Sequence, residues 1–444
     1  MINYWAEHAW LPDGLAERVR MTETDGRFAS VITGADPEPG DERLTGAVFP
    51  GFADAHSHAF HRALRGRTQS GRGSFWTWRE KMYALAGRLD PDSYRELARA
   101  CYTELALAGF TVVGEFHYLH HDHEGRRYAD PNAMGRALLQ AAIEVGLRIT
   151  LLDTCYLAGG LDETGYREPD PVQRRFSDGD VDRWAGRVAE LITDEADPAG
   201  LTKIGIAAHS VRAVPAAALG ALGAAFPERP LHVHLSEQPA ENAACLAHYG
   251  RTPTRLLDDH GLLGPRTTVV HATHLTGDDI ARLGGSGTCA CFCPTTERDL
   301  ADGIGPAREL ADAGAPLALG TDQHAVVDPF EELRGLELHE RLRSGERGRF
   351  TTEELITAAT AAGYRSLGWA DGGGIAAGQL CDFVVVDRDS IRTAGSRPDQ
   401  LCYAATAADV RRVVVGGRTV VADGAPVHGM PDLTILDRLW EEAP

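Results

Sequence analysis

Lysine is nearly missing from this chain: of 444 residues only Lys81 and Lys203 are lysines, and the remaining basic charge is arginine. The bias reads as the base composition of a GC-rich genome, not as a functional signal. Basic charge is also short overall. Lysine and arginine number 44 against 64 aspartates and glutamates, a net charge of −20, which argues against nucleic acid or an anionic membrane as partner. It leaves the sign of a small-molecule substrate open, because a local arginine outweighs a distant field. No apolar run reaches the length of a membrane span. The first residues, Met1-Ile2-Asn3-Tyr4-Trp5-Ala6-Glu7-His8, lack a positive region followed by an apolar core. No secretory leader is therefore expected, and the expected location is the cytoplasm. Paired cysteine clusters are lacking too. The eight cysteines are scattered and expected as free thiols; Cys289, Cys291 and Cys293, alternating along one run, are expected as small core residues. Internal repeats and low-complexity tracts are absent.

What is present has two textures. Residues 1–47 read as short strands and turns, and so do residues 376–430, where Gly416-Gly417 breaks a valine-rich run. Both ends are expected to pair into one small β domain, with 431–444 as a terminal tail or helix. Between them, in 48–375, strand and helix signals alternate. Strand candidates are 48–58, 111–119, 148–157, 203–210, 231–237, 267–275, 288–296 and 316–324. Asp90-Pro91 opens a helix with Leu97, Cys101, Leu105 and Ala108 at helical spacing. Eight alternating units predict an α/β fold, a (β/α)8 barrel of TIM type. The loop at 66–74 is expected over the barrel mouth.

Chemistry gathers at the predicted strand ends, where such barrels carry their catalytic groups. His56-Ser57-His58 closes the first strand. Residues two apart on a strand face the same side, so both imidazoles can grip one ion. His234 and Glu237 follow on the fifth strand, His271 on the sixth and Asp322 on the eighth. His56, His58, His234 and Asp322 form a ligand set for one divalent metal ion, Zn²⁺ or alternatively Fe²⁺. In His232-Val233-His234-Leu235-Ser236-Glu237 the ligand is assigned to His234, because its spacing brings Glu237 to the water; His232 is expected deeper in the barrel. Glu237 is the candidate general acid/base, and His271 the group that polarises the developing tetrahedral centre, with Asp322 orienting the water. Bridged two-metal barrels often carry a carboxylated lysine at the end of strand four. Here that strand has Lys203 at its opposite end and His209 at the mouth, so one metal is expected.

These residues resemble the amidohydrolase superfamily in its mononuclear deaminase branch. A narrower resemblance, to the formimidoylglutamate deiminases of histidine breakdown, rests on further motifs. They are Pro50-Gly51 before His56-Ser57-His58-Ala59-Phe60, Gly73-Ser74-Phe75-Trp76-Thr77-Trp78-Arg79-Glu80, Glu115-Phe116-His117-Tyr118-Leu119-His120-His121, Ala208-His209-Ser210-Val211-Arg212, His234-Leu235-Ser236-Glu237-Gln238, His271-Ala272-Thr273-His274-Leu275, Cys293-Pro294-Thr295-Thr296-Glu297 and Gly320-Thr321-Asp322-Gln323-His324. The resemblance implies hydrolysis of N-formimino-L-glutamate to N-formyl-L-glutamate and ammonia, and a homodimer. It implies substrate contacts by Tyr118, His209 and Arg212, whose planar guanidinium suits a carboxylate. Arg79 is a candidate for the second carboxylate, a surface salt bridge being its alternative. Trp76 and Trp78 are expected to pack the loop. One position departs from the pattern: where a substrate-contacting glutamine stands five residues after the first ligand histidine, this chain has His61. The alternatives are a nucleobase or aminotriazine deaminase, an amide or carbamate hydrolase, and a non-catalytic barrel.

Overall fold

A computed structural model describes residues 1–70, 72–194, 197 and 199–441. Eight parallel strands stand in sequence order: Phe52–Ser57, Phe110–His117, Arg148–Cys155, Thr202–Ala208, Leu231–Leu235, Thr267–His271, Cys289–Phe292 and Leu317–Leu319. Every one of their residues is buried except at the start of the fourth, as expected of strands covered on both faces. The last strand is short and meets the first through a single parallel bridge, Ser57 to Asp322. There the Asp322 amide donates to the His56 carbonyl (2.9 Å) and the His58 amide to the Asp322 carbonyl (3.0 Å). That pair of bonds closes the barrel.

The second sheet is built from both chain ends. Its order runs Ala425–Pro426, Arg418–Ala422, Val410–Val415, Phe383–Val386, Glu42–Pro50, Ile2–Leu11, Gly14–Thr24, Arg27–Ile32. Phe383–Val386 pairs antiparallel with Glu42–Pro50 and so joins the two ends. Its core gathers Tyr4, Met21, Phe28, Val48, Phe383 and Val414. A bidentate buried ion pair ties it to the barrel: Arg148 donates to both carboxylate oxygens of Asp382 (2.7 and 3.1 Å), which also accepts from Tyr364 and the Gly416 amide.

The structure corrects several sequence expectations. The run 48–58 is two strands, not one. Glu42–Pro50 belongs to the end sheet, past the expected limit at 47, and Phe52–Ser57 to the barrel. The break falls at Gly51, where a Cβ would lie 2.1 Å from the Thr111 hydroxyl. The eighth strand stops at Leu319, so Asp322 lies on the turn beyond it, at φ +49°. The seventh stops at Phe292, and Pro294–Asp299 is already helical. Helix Pro91–Ala108 starts as expected, with the Asp90 carboxylate accepting from the Ser93 amide (2.8 Å). Cys289, Cys291 and Cys293 pack with Ala55, Val270 and Ala318, and all eight cysteines are free and buried. In the tail expected over 431–444, Ile435–Arg438 is helical; 442–444 lie outside the described residues, as does Gly71 of the loop at 66–74.

Candidate active site

The donor atoms expected to hold a metal converge at the C-terminal ends of the strands. His56 Nε2 lies 3.1 Å from His234 Nε2, and Asp322 Oδ1 lies 3.5 Å from both His56 Nε2 and His58 Nε2. Two donors each about 2.0–2.1 Å from one tetrahedral ion stand about 3.4 Å apart, so this spacing suits a single ion. The tautomers agree. His58 Nδ1 donates to the Phe116 carbonyl and His234 Nδ1 to the His209 carbonyl, each at 2.9 Å, leaving both Nε2 lone pairs turned inward. Burial pushes the pKa of His58 down to about 3 and lowers those of His56 and His234 as well, so all three imidazoles are neutral, the form a metal binds.

Closure of the barrel forces this convergence. Gly320 is required beside it, since a Cβ there would come within 2.7–2.9 Å of His56 backbone and Cβ atoms. Around the same strand, Ser57 donates to Glu115 (2.8 Å) and meets His324 Nε2 (3.0 Å), while Asp54 accepts from the Thr321 amide and hydroxyl. Ser236, His271, Ala272, Asp322 and His324 all have positive φ, a conformation uncommon outside glycine, so local strain is concentrated around the site.

Glu237 and His271 flank the donors. His271 Nε2 lies 3.9 Å from Glu237 Oε1 and from Asp322 Oδ2, and its Nδ1 faces Glu297 at 3.5 Å. Burial opposes a charge on this ring, but Glu237, Glu297 and Asp322 outweigh it and carry its pKa up to about 10. His271 is thus a cationic donor aimed between two carboxylates. His232 lies deeper and bonds the Ser366 carbonyl (3.0 Å).

Above the donors opens a pocket. His58, His234, Glu237, His271 and Asp322 form its floor, and His61, Arg79, Tyr118, His209 and Arg212 stand in its wall. His61 Nε2 meets the Tyr118 hydroxyl at 3.1 Å, and its ring packs edge-on against Trp78. Arg79, on helix Phe75–Ala86, stacks on Trp76 and Tyr83, and among the described residues no carboxylate pairs with it. The surface-salt-bridge alternative for Arg79 therefore finds no partner. Trp78 lines the pocket as well as packing the helix, and Trp76 is half exposed at the rim. Arg212 Nη2 donates to Glu237 Oε2 (3.1 Å), and its Nε lies 3.4 Å from Glu241.

Sequence reasoning missed Glu241 and Glu297, which face Arg212 and His271, and Tyr156 and Arg167, which line the pocket. Glu297 is in a quoted motif, and Glu241 follows the helix-opening Pro239, but neither local signal says where the side chain ends. A second buried cluster, His117, His120 and Asp153, needs no ion. His120 Nε2 donates to the Thr154 carbonyl, so its Nδ1 accepts from His117, and Arg187 donates to both oxygens of Asp153. Lys203 lies at the barrel floor over the Trp369 ring, far from the mouth.

Comparison with known proteins identifies the family of the chain. The model of the amidohydrolase family matches residues 47–420, and that described as "Formimidoylglutamate deiminase HutF, N-terminal domain" matches 1–45. A formimidoylglutamate deiminase of Pseudomonas aeruginosa is 37% identical over 96% of this chain and 95% of its own length. An 8-oxoguanine deaminase of the same organism is 31% identical over 96% and 94%. The crystal structure of an amidohydrolase from Brucella melitensis superposes with a TM-score of 0.91 at 31% identity, covering 99% of this chain and 100% of that one. The chain belongs to the amidohydrolase family, and within it to the formimidoylglutamate deiminases.

Proposed function

We propose that this protein hydrolyses N-formimino-L-glutamate to N-formyl-L-glutamate and ammonia, a step of histidine degradation in the cytoplasm, as a homodimer. One observation carries the reading: the pocket that holds the His/Asp donor set with Glu237 also presents Arg79 and Arg212 in its wall. An amidine with two carboxylates needs both ends of that arrangement.

His56, His58, His234 and Asp322 would hold one divalent ion, Zn²⁺ by its preference for imidazole and carboxylate, with Fe²⁺ as an alternative. Such an ion supplies Lewis acidity and lowers the pKa of a coordinated water. The rest is the work of the side chains. Glu237 accepts the proton of the attacking water through a carboxylate oxygen and returns it to the leaving nitrogen. His271, charged and facing Glu237 and Asp322, donates toward the oxygen that enters the amidine carbon. Water adds its oxygen to that carbon and the C–N bond to the terminal nitrogen breaks; both water hydrogens end on that nitrogen, the first by way of Glu237 and the second from the new hydroxyl as the carbonyl forms, so that ammonia leaves. Arg79 and Arg212 bind the two carboxylates; His61, fixed by Tyr118, and His209 hold the body of the substrate.

The aromatic wall of Phe75, Trp78, Tyr118, Tyr156 and Phe176 favours a second reading, a nucleobase deaminase stacking its ring there. Ammonia release decides between them. The zinc-loaded protein is assayed on N-formimino-L-glutamate, N-formimino-L-aspartate, guanine and 8-oxoguanine. Ammonia from the glutamate compound alone supports the proposal; ammonia from a nucleobase alone replaces it.

A further inference from the structure

Arg212 is overcommitted. Its guanidinium sits between two carboxylates, bonded through Nη2 to Glu237 Oε2 at 3.1 Å and facing Glu241 from Nε at 3.4 Å. Glu241 is 2% exposed, and neither of its oxygens has a hydrogen-bond partner; Arg212 Nε has none either. A carboxylate buried without hydrogen bonds is costly, and Arg212 is the cation that compensates Glu241. Of the two, Glu237 is the one an incoming substrate can reach: it lies in the pocket floor, whereas Glu241 lies behind, on helix Pro239–Tyr249.

The group paired with Arg212 is the proposed proton acceptor. Its Oε1 faces the cationic His271 and its Oε2 holds an arginine N–H, so both oxygens of Glu237 have cationic neighbours. While Oε2 accepts the guanidinium N–H it is turned to Arg212 and not to an incoming water.

We propose that Arg212 gates the general base: a substrate carboxylate takes the Nη2 donor from Glu237, freeing Oε2 for the water proton, while Glu241 keeps the guanidinium in place. The inference rests on the deiminase reading above. Its consequence is specificity at the level of turnover. An amidine without a carboxylate finds the base still paired, so it is rejected in kcat as well as in binding. Glu241 is then a positioning residue acting through Arg212.

The test uses formamidine, the amidine stripped of its glutamate, with and without glutarate, which restores the missing carboxylates as a separate molecule. Ammonia release is measured for zinc-loaded wild type, Arg212→Gln and Glu241→Gln, with N-formimino-L-glutamate as reference. Glutarate is expected to raise kcat for formamidine about tenfold in wild type and not at all in Arg212→Gln. Arg212→Gln is expected to lose about a hundredfold in kcat/KM on N-formimino-L-glutamate yet gain several-fold on unaided formamidine, because its base is unmasked. In Glu241→Gln the guanidinium loses its second anchor and the glutarate effect is expected to shrink. A plain binding role predicts otherwise: no glutarate activation, and no gain on formamidine in Arg212→Gln. Either result, or formamidine inert under every condition, overturns the gate. If N-formimino-L-glutamate is turned over while the gate fails, the deiminase reading stands alone; if it is not turned over, both fall. The wild-type glutarate measurement needs no variant to fold.

Discussion

The backbone amide of Asp322 donates to the carbonyl of His56 at 2.9 Å, so two of the proposed metal ligands are hydrogen-bonded neighbours across the seam of the barrel. Closing the barrel and assembling the donor set are therefore one event. The seam has a single bridge, and side-chain bonds through Asp54, Thr321, His324 and Ser57 reinforce it. A site built this way comes into being only when the last strand returns to the first.

Removing the base should separate chemistry from structure. Glu237→Gln keeps the size of the side chain and lies outside the donor set. It is expected to bind metal as wild type does while turnover falls about a hundredfold or more, the usual scale for a general acid/base. Metal content per chain and kcat are the two readouts; full activity would take Glu237 out of the mechanism.

The donor set makes a separate prediction. His58→Ala or Asp322→Asn should purify with substoichiometric metal, and a chelator should strip wild-type activity that added Zn²⁺ restores. Elemental analysis checks the first, and an ammonia assay before and after reconstitution the second. Stoichiometric metal in both variants would move the site elsewhere.

His61 stands where relatives are expected to carry glutamine, and Tyr118 fixes its ring at 3.1 Å. His61→Ala should raise KM by about tenfold, near the value of one hydrogen bond, with kcat changed far less. His61→Gln should recover most of the loss. An unchanged KM in the alanine variant would make His61 a packing residue.

The Arg148–Asp382 pair holds the end sheet to the barrel in a fully buried setting. Asp382→Ala leaves an unpaired guanidinium there and should cost about 3–5 kcal/mol, seen as a lowered melting temperature. Limited proteolysis of the same variant, with cleavage expected first within the end sheet, locates the loss. An unchanged melt would mean that the two sheets dock by apolar contact alone.

Much of the site could be read from the chain because its signals are local. His56 and His58 share a face by the period of a strand, and His234 lies three residues before Glu237, whatever the rest of the chain does. The alternation of strands and helices likewise predicts the barrel, because each unit is a contiguous stretch with its own periodicity. Even the burial of Cys289 and Cys291 follows from alternation along one strand.

Other features depended on contacts between distant segments. The division at Gly51 comes from Thr111 pressing on it, and no periodicity marks that point in a run that reads as one strand. That Arg212 meets Glu237 and Glu241 rather than solvent depends on how the fourth and fifth strand ends lie beside each other, and Glu297 reaches His271 only because the seventh strand stops at Phe292 and turns into a helix. Covalent geometry over two to four residues determined which side chains could act together along each strand. Only the closed barrel decided which strand ends became neighbours, because that pairing is made by backbone bonds between residues 266 positions apart in the case of His56 and Asp322.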